Sequence, residues 1–124
     1  MANLTAMEVL QQVDALLPNQ YAQEEKLRWL AQAEGFAAEE VLRRCEGGAV
    51  AVPETYTGGE TLLVPPPYDE LYRHYLERCI HYANGETELC NNASAAWNSA
   101  FLTFRDFWFR THTPRREARA LRLC

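Results

Sequence analysis

The sequence predicts an all-α protein, a small bundle of four to five helices. Apolar residues recur at the spacing of helix faces through most of the 124 residues. Residues typical of helix starts and stops separate these segments from one another. Short β-prone runs without helical spacing, by contrast, lie in a single stretch, residues 47–64. The helices are therefore expected to form the core, with one extended segment beside them.

The first helix is predicted over residues 5–17. Thr5 is suited to be its N-cap, and Glu8 follows three residues later, as in a capping box. Pro18 ends the helix because proline cannot continue it. Its apolar side is formed by Val9, Leu10, Val13, Leu16 and Leu17.

The second helix is predicted from residue 20 to about residue 45. Glu24 and Glu25 place negative charge in its first turn, where the helix dipole favours it. Gly47-Gly48 supplies the stop. Gly35 lies within the segment, so the sequence leaves open whether it is one helix or two.

Residues 47–64 differ in kind from the helices. Four of the six glycines lie here, and the stretch ends in the apolar run Leu62, Leu63 and Val64. The pattern predicts an extended arm or a short two-stranded β-ribbon, with a loose surface loop as the alternative. Because the final run is too apolar to lie in water, we expect it to make a contact.

Three consecutive prolines, Pro65, Pro66 and Pro67, follow this run. They remove three backbone donors, which predicts a polyproline II segment and the end of any strand pairing. Tyr68-Asp69-Glu70 then opens the third helix, and Asn84-Gly85 predicts its end. With a fourth helix at 87–111, residues 68–111 are expected to form a long αα-hairpin.

The fourth helix carries an aromatic stripe with steps of four, three and four residues, the spacing of a core seam. Its members are Trp97, Phe101, Phe104 and Trp108. Leu102 and Phe109 point away from this seam. They are interpreted as either a second core contact or a contact between subunits.

The charge is unevenly distributed. The formal net charge is −5, and residues 1–60 carry ten acids against four bases. We expect a single domain, residues 1–112, followed by a basic tail, residues 113–124. The tail carries one Glu and four arginines: Arg115, Arg116, Arg119 and Arg122. An acidic body argues against broad binding to duplex nucleic acid, which requires many cations facing phosphates.

No motif for catalysis, metal binding or phosphate binding was found. The four cysteines show neither a Cys-x-x-Cys pair nor zinc spacing. His74 and His81 are interpreted as solvated side chains because their spacing does not match a metal site. A helix-turn-helix DNA reader is disfavoured because its second helix would carry Glu24, Glu25 and Glu34. The chain is therefore predicted to be no enzyme and to use no cofactor.

The sequence also argues against membrane insertion and secretion. No apolar run reaches the roughly 18 residues that spanning a bilayer requires. The first residues lack the basic start and apolar core of a signal peptide. The expected location is a cytoplasm.

Three segments together resemble one family. They are VDALLPNQYAQEEKLRWLAQAEG (13–35), LLVPPPYDELYRHYLERCIHYANGE (62–86) and NNASAAWNSAFLTFRDFWFRTHTP (91–114). In order and spacing they resemble the head–tail connector (adaptor) proteins of tailed bacteriophages and prophages. The resemblance covers residues 13–114 and does not include 47–60. Cys79 and Cys90 depart from the family pattern, which has Ala and an aromatic residue there.

The resemblance implies a structural virion component that docks on the portal ring and helps to form the DNA channel between capsid and tail. Its partners would be the phage portal protein, further copies of itself in a ring, and a downstream head-closure or tail protein. DNA would pass through without specific recognition. The protein would be found in the bacterial host cytoplasm during assembly and then in the virion neck.

Within this role, the run Leu62–Val64 is the predicted subunit-contact arm, and Pro65–Pro67 sets its exit angle. The tail arginines are the predicted portal-binding residues, with DNA as the other possible target. Leu102 and Phe109 are a further apolar contact. The alternatives are another phage morphogenesis protein for head closure or tail completion, a small helical regulator of a host protein, or a small enzyme.

Overall fold

The computed structural model describes residues 3–45 and 51–113, and it is mostly helical. The elements are α1 (Ala6–Leu16), α2 (Gln23–Glu40), a short 3-10 helix (Leu42–Arg44), α3 (Glu70–Asn84) and α4 (Thr87–Thr111). The all-α prediction is confirmed. Within the described residues no regular strand is present.

The start of α1 is the one predicted from the sequence. The Glu8 backbone N–H donates to the Thr5 hydroxyl at 3.3 Å, and the Thr5 N–H donates to the Glu8 carboxylate at 3.0 Å. This reciprocal pair is the expected capping box, which is confirmed. It satisfies two backbone donors at a helix end that would otherwise lack partners. The helix turns Val9, Leu10 and Val13 into the core.

α2 runs without a break through Gly35, so the predicted segment contains one α-helix there and not two. Leu30, Ala33 and Ala37 lie fully buried on either side of the glycine and hold both halves to the core. The helix ends at Glu40, earlier than the predicted residue 45, and the 3-10 helix follows. The last residues of the predicted helix thus form a 3-10 helix, which is wound more tightly than an α-helix.

α3 and α4 are consecutive and pack extensively against each other. Gly85 ends α3 in the left-handed conformation, with φ at +78°. Its N–H donates to the Tyr82 carbonyl, and the Glu86 N–H donates to the His81 carbonyl. The predicted stop at Asn84-Gly85 is therefore confirmed. Since the connection is so short, α4 runs back along α3.

The two helices differ in length. At 1.5 Å per residue, the 25 residues of α4 span about 37 Å, against about 22 Å for the 15 residues of α3. The C-terminal part of α4 therefore extends past the start of α3. There it meets the chain before α3, where the Tyr68 and Phe107 rings stack at 4.4 Å.

The segment before α3 does not follow the predicted course. A single antiparallel bridge joins Thr5 and Thr61, and residues 51–64 show no two-stranded ribbon. Residues 47–50 lie outside the described part of the chain. Pro65–Pro67 forms a turn, in which the Tyr68 N–H donates to the Pro65 carbonyl at 3.0 Å. The expectation of an extended polyproline II segment is therefore wrong, because the chain must reverse here to enter α3.

Within residues 3–45 and 51–113, no helix combines the length and the apolar content that crossing a membrane requires.

Candidate functional site

Leu62, Leu63 and Val64, which we call the strap, lie against the helices of their own chain. Leu62 is 1% exposed and Val64 is fully buried, so both side chains belong to the core. The Leu62 N–H donates to the Leu4 carbonyl at 2.8 Å, and the Asn3 side-chain amide donates to the Leu62 carbonyl at 2.9 Å. The expectation of an arm projecting toward a neighbouring subunit is corrected here. The apolar run is covered by the core of its own domain.

The other side of the strap is held by a buried carboxylate. One oxygen of Glu34, on α2, accepts a hydrogen bond from the Leu63 N–H at 2.8 Å. The same oxygen accepts a second hydrogen bond from the Tyr72 hydroxyl of α3 at 3.0 Å. The Tyr72 oxygen in turn accepts from the Val64 N–H at 3.0 Å. Two of the three strap amides thus depend on Glu34, one directly and one through Tyr72.

Burial dominates the electrostatics of this cluster. Glu34 is 1% exposed, and its second carboxylate oxygen has no hydrogen-bond partner among the described residues. Burial raises the pKa of Glu34 to about 7, although the hydrogen bonds from Leu63 and Tyr72 work in the opposite direction. The pKa of the Tyr72 hydroxyl is raised well above its usual value, first by burial and then by the neighbouring Glu34.

A second glutamate organises the loop that leads to the strap. The exposed carboxylate of Glu60 accepts hydrogen bonds from the Thr57 and Gly58 N–H groups, at 2.9 and 2.8 Å. These hydrogen bonds lower the pKa of Glu60 to about 2. The loop carbonyls of Gly58 and Glu60 accept from the Met7 and Ala6 N–H groups. The loop therefore supplies acceptors to the first turn of α1, whose amides need partners outside the helix.

α4 is the least covered of the four helices. Ala93 and Phe104 are its buried side chains, although the helix has 25 residues. The other members of the predicted seam, Trp97, Phe101 and Trp108, are partly buried and pack against the core. The seam thus faces the core as predicted, with Phe104 at its centre.

The second apolar strip of α4 is divided between two environments. Leu102 is 45% exposed, as is Leu89 near the start of the helix. Phe109 is partly buried and packs against the core. Leu102 therefore presents an apolar side chain to the outside, whereas Phe109 is shared between core and surface.

A further apolar area lies where α2 and α3 meet. Tyr82 is 78% exposed and Phe36 is 47% exposed. A groove beside Tyr82 is lined by Trp29, Gln32, Tyr75, Arg78, Cys79, Tyr82 and Ala83. Its floor is held in place by a hydrogen bond of 3.0 Å from the Tyr75 hydroxyl to the Gln32 side-chain oxygen.

The two histidines of α3 each lie close to a carboxylate. The ring of His81 lies 3.0 Å from the Glu86 carboxylate, and that of His74 lies 3.7 Å from the Glu77 carboxylate. Burial raises the pKa of the Cys79 thiol to about 11, which leaves it protonated at neutral pH. In the part of the chain that the structure describes, no group of three or more His, Cys, Asp and Glu side chains is placed to hold a metal ion.

Not every predicted site residue can be placed. The description of the structure ends at residue 113, so nearly all of the predicted basic tail lies outside it. This includes the tail arginines, Arg115, Arg116, Arg119 and Arg122. Their assignment to the portal remains a prediction.

Glu34 also lies elsewhere than its charge predicts. The charge predicts an exposed position on an acidic face, yet Glu34 is buried between α2, α3 and the strap. A signal was present, because Glu34 follows Leu30 by four residues and precedes Ala37 by three. It therefore lies on the apolar stripe of α2. A charged residue on that stripe indicates a buried polar contact.

Comparisons of this chain with protein-family models, with curated proteins and with solved structures found no match.

Proposed function

We propose that this protein is a structural component of a tailed bacteriophage or prophage, a head–tail connector (adaptor) that acts by assembly and not by catalysis. In this role it docks on the portal ring, joins further copies of itself in a ring, and helps to form the DNA channel from capsid to tail. The proposal is supported by the resemblance of three segments to connector proteins. The structural observation that carries it is the poor coverage of α4.

Thirteen of the 25 residues of α4 are exposed, so one side of this helix is available to other molecules. Leu102 and Leu89 lie on that surface, each 45% exposed. In a ring with heterologous contacts, one face of each subunit meets a different face of the next. We assign Leu102, with the exposed edge of Phe109, to this contact.

The assignment replaces the strap as the main subunit contact. Leu62 and Val64 would have to leave the core before they could reach a neighbour, and exposing them costs about 1.5–3 kcal/mol each. Leu102 needs no such rearrangement. In this proposal the hairpin formed by residues 68–111 is the rigid scaffold, and α4 is its outward-facing member.

The net negative charge of the protein is compatible with a channel component that does not bind DNA. The net charge is −5, and its acidic character is concentrated in residues 1–60. A lumen lined by such a body would offer few cations to phosphates, so DNA would pass without specific recognition. The four arginines of the tail remain the proposed contact with the portal protein. Assembly would take place in the bacterial host cytoplasm, and the mature location would be the virion neck.

The direct test is to delete the gene from an inducible lysogen and examine the lysate by negative-stain electron microscopy. The connector role predicts filled or leaking heads together with separate, complete tails. Normal infectious particles would contradict it and would favour a small regulator of a host protein. Heads that retain DNA beside unfinished tails would instead indicate a tail-completion protein.

A further inference from the structure

We propose that the strap is a pH-sensitive closure, held in the core by Glu34 and released more readily as Glu34 ionises. The device is a property of the fold and does not depend on the connector role. It would set how firmly the segment between the Glu60 loop and α3 is attached to the rest of the domain.

The geometry makes Glu34 the common support of the strap. Its one bonded oxygen receives the Leu63 N–H and the Tyr72 hydroxyl, at 2.8 and 3.0 Å. The Tyr72 oxygen, held by Glu34, accepts a hydrogen bond from the Val64 N–H. The remaining strap amide, of Leu62, bonds to Leu4 at the start of α1. If the strap separates from Glu34 and Tyr72, the Leu63 and Val64 amides therefore lose their hydrogen bonds together. The Leu62 amide keeps its hydrogen bond to Leu4.

Among residues 3–45 and 51–113, the groups that face Glu34 provide no positive charge to offset its ionisation. From α3 it meets the Tyr72 hydroxyl, and from the strap it meets the Leu63 amide. Tyr56, from the preceding loop, is 6% exposed, and its pKa is raised by burial and by the charges of Glu34 and Glu60. An ionised Glu34 thus lies among buried phenols, with one oxygen unpaired.

The direction of the pH effect follows from these surroundings. Burial raises the pKa of Glu34 from 4.5 to about 7 in the closed state, whereas water would restore the ordinary value in the open state. The closed strap is therefore fully favoured below pH 4.5, and this advantage is lost as the pH rises through about 7. The two values correspond to a change of roughly 300-fold in the opening equilibrium over the whole range, of which the larger part, on the order of 100-fold, falls between pH 5 and pH 8.5.

Amide hydrogen exchange measures this opening directly. We expect the protection factors of the Leu63 and Val64 amides, corrected for intrinsic exchange, to fall by roughly 100-fold between pH 5 and pH 8.5. In Glu34→Gln, which keeps the size of the side chain and cannot ionise, the same factors should be independent of pH. Protection of these amides that stays constant in the wild type would overturn the proposal.

Glu60→Gln is the matched control in the neighbouring loop. The pKa of Glu60 is about 2, so this group does not titrate in the range tested. The variant should lower protection by a similar factor at every pH and keep the slope of the wild type. Loss of the slope in this variant would assign the pH dependence to the loop and not to Glu34.

Two measurements keep the test decisive if Glu34→Gln does not fold. Carboxyl carbon shifts in the wild type should give Glu34 a midpoint well above 4.5, and a midpoint at or below 4.5 would overturn the proposal. In Tyr72→Phe, the Val64 amide should lose protection at every pH while that of Leu63 keeps its pH slope. Equal losses at both amides would contradict the relay through Tyr72.

Discussion

α3 and α4 are neighbouring helices of one chain, joined by a two-residue connection, yet they are covered very differently. α3 buries five of its 15 residues, whereas α4 buries two of 25. α3 contacts α1, α2 and α4, so most of its apolar face is covered within the domain, with Tyr82 as the exposed exception. α4 packs mainly on α3 and leaves Leu89 and Leu102 outside. The comparison indicates that α3 contributes more to the core of the domain and that α4 leaves more of its apolar surface exposed.

The largest expected effect is at Phe104, the large side chain of α4 that is fully buried in the core. Phe104 is fully buried and packs beside Trp108 and Tyr68, with ring centres 5.7 and 6.3 Å away. Phe104→Ala should lower the free energy of unfolding by about 3–5 kcal/mol, because it leaves a cavity the size of a ring. Chemical denaturation followed by circular dichroism measures this change. A loss below about 1 kcal/mol would mean that α4 is not anchored there.

The same substitution, Leu to Ala, can be made in both helices to compare how much a leucine of each contributes to stability. Leu76 of α3 is fully buried, and Leu102 of α4 is 45% exposed. Leu76→Ala should cost about 2–5 kcal/mol of unfolding free energy, and Leu102→Ala less than about 1 kcal/mol. Equal losses in denaturant titrations would remove the distinction between a core helix and a surface helix.

A smaller effect is expected at the connection itself. Gly85 has φ at +78°, and none of the residues that the structure describes lies within 4 Å of the position that an added Cβ would occupy. Gly85→Ala should therefore cost about 1 kcal/mol through backbone strain alone, without a steric clash. Thermal unfolding should show a correspondingly small decrease in Tm. An unchanged or raised Tm would show that the left-handed cap is not required.

The sequence was sufficient for those parts of the fold that depend on local pattern. The capping box at Thr5, the stop at Gly85 and the bounds of α4 each follow from a few adjacent residues. The seam of α4 is also local, because its spacing identifies the face that Phe104 turns inward. Such features can be predicted without knowledge of the tertiary structure, because the residues that determine them lie within one or two helical turns of each other.

The placement of the strap could not be obtained in this way. Its amides pair with Leu4 and Glu34, which are 58 and 29 residues away, so no local pattern reports these contacts. The apolar run predicts that Leu62 and Val64 are covered, but it does not distinguish the core of the same chain from a neighbouring subunit. The buried role of Glu34 was missed because its charge suggested an exposed surface, although its position on the stripe of α2 indicated burial.

The most direct test of the account is to place a charge on the exposed face of α4 and measure virion assembly. In a lysogen lacking the gene, a plasmid copy carrying Leu102→Asp should fail to restore infectious particles. Its unfolding free energy should stay within about 1 kcal/mol of the wild type, because Leu102 is largely outside the core. Asn92→Asp, which adds the same charge at another exposed position of α4, should restore them. Full restoration by Leu102→Asp would contradict an assembly contact on this face.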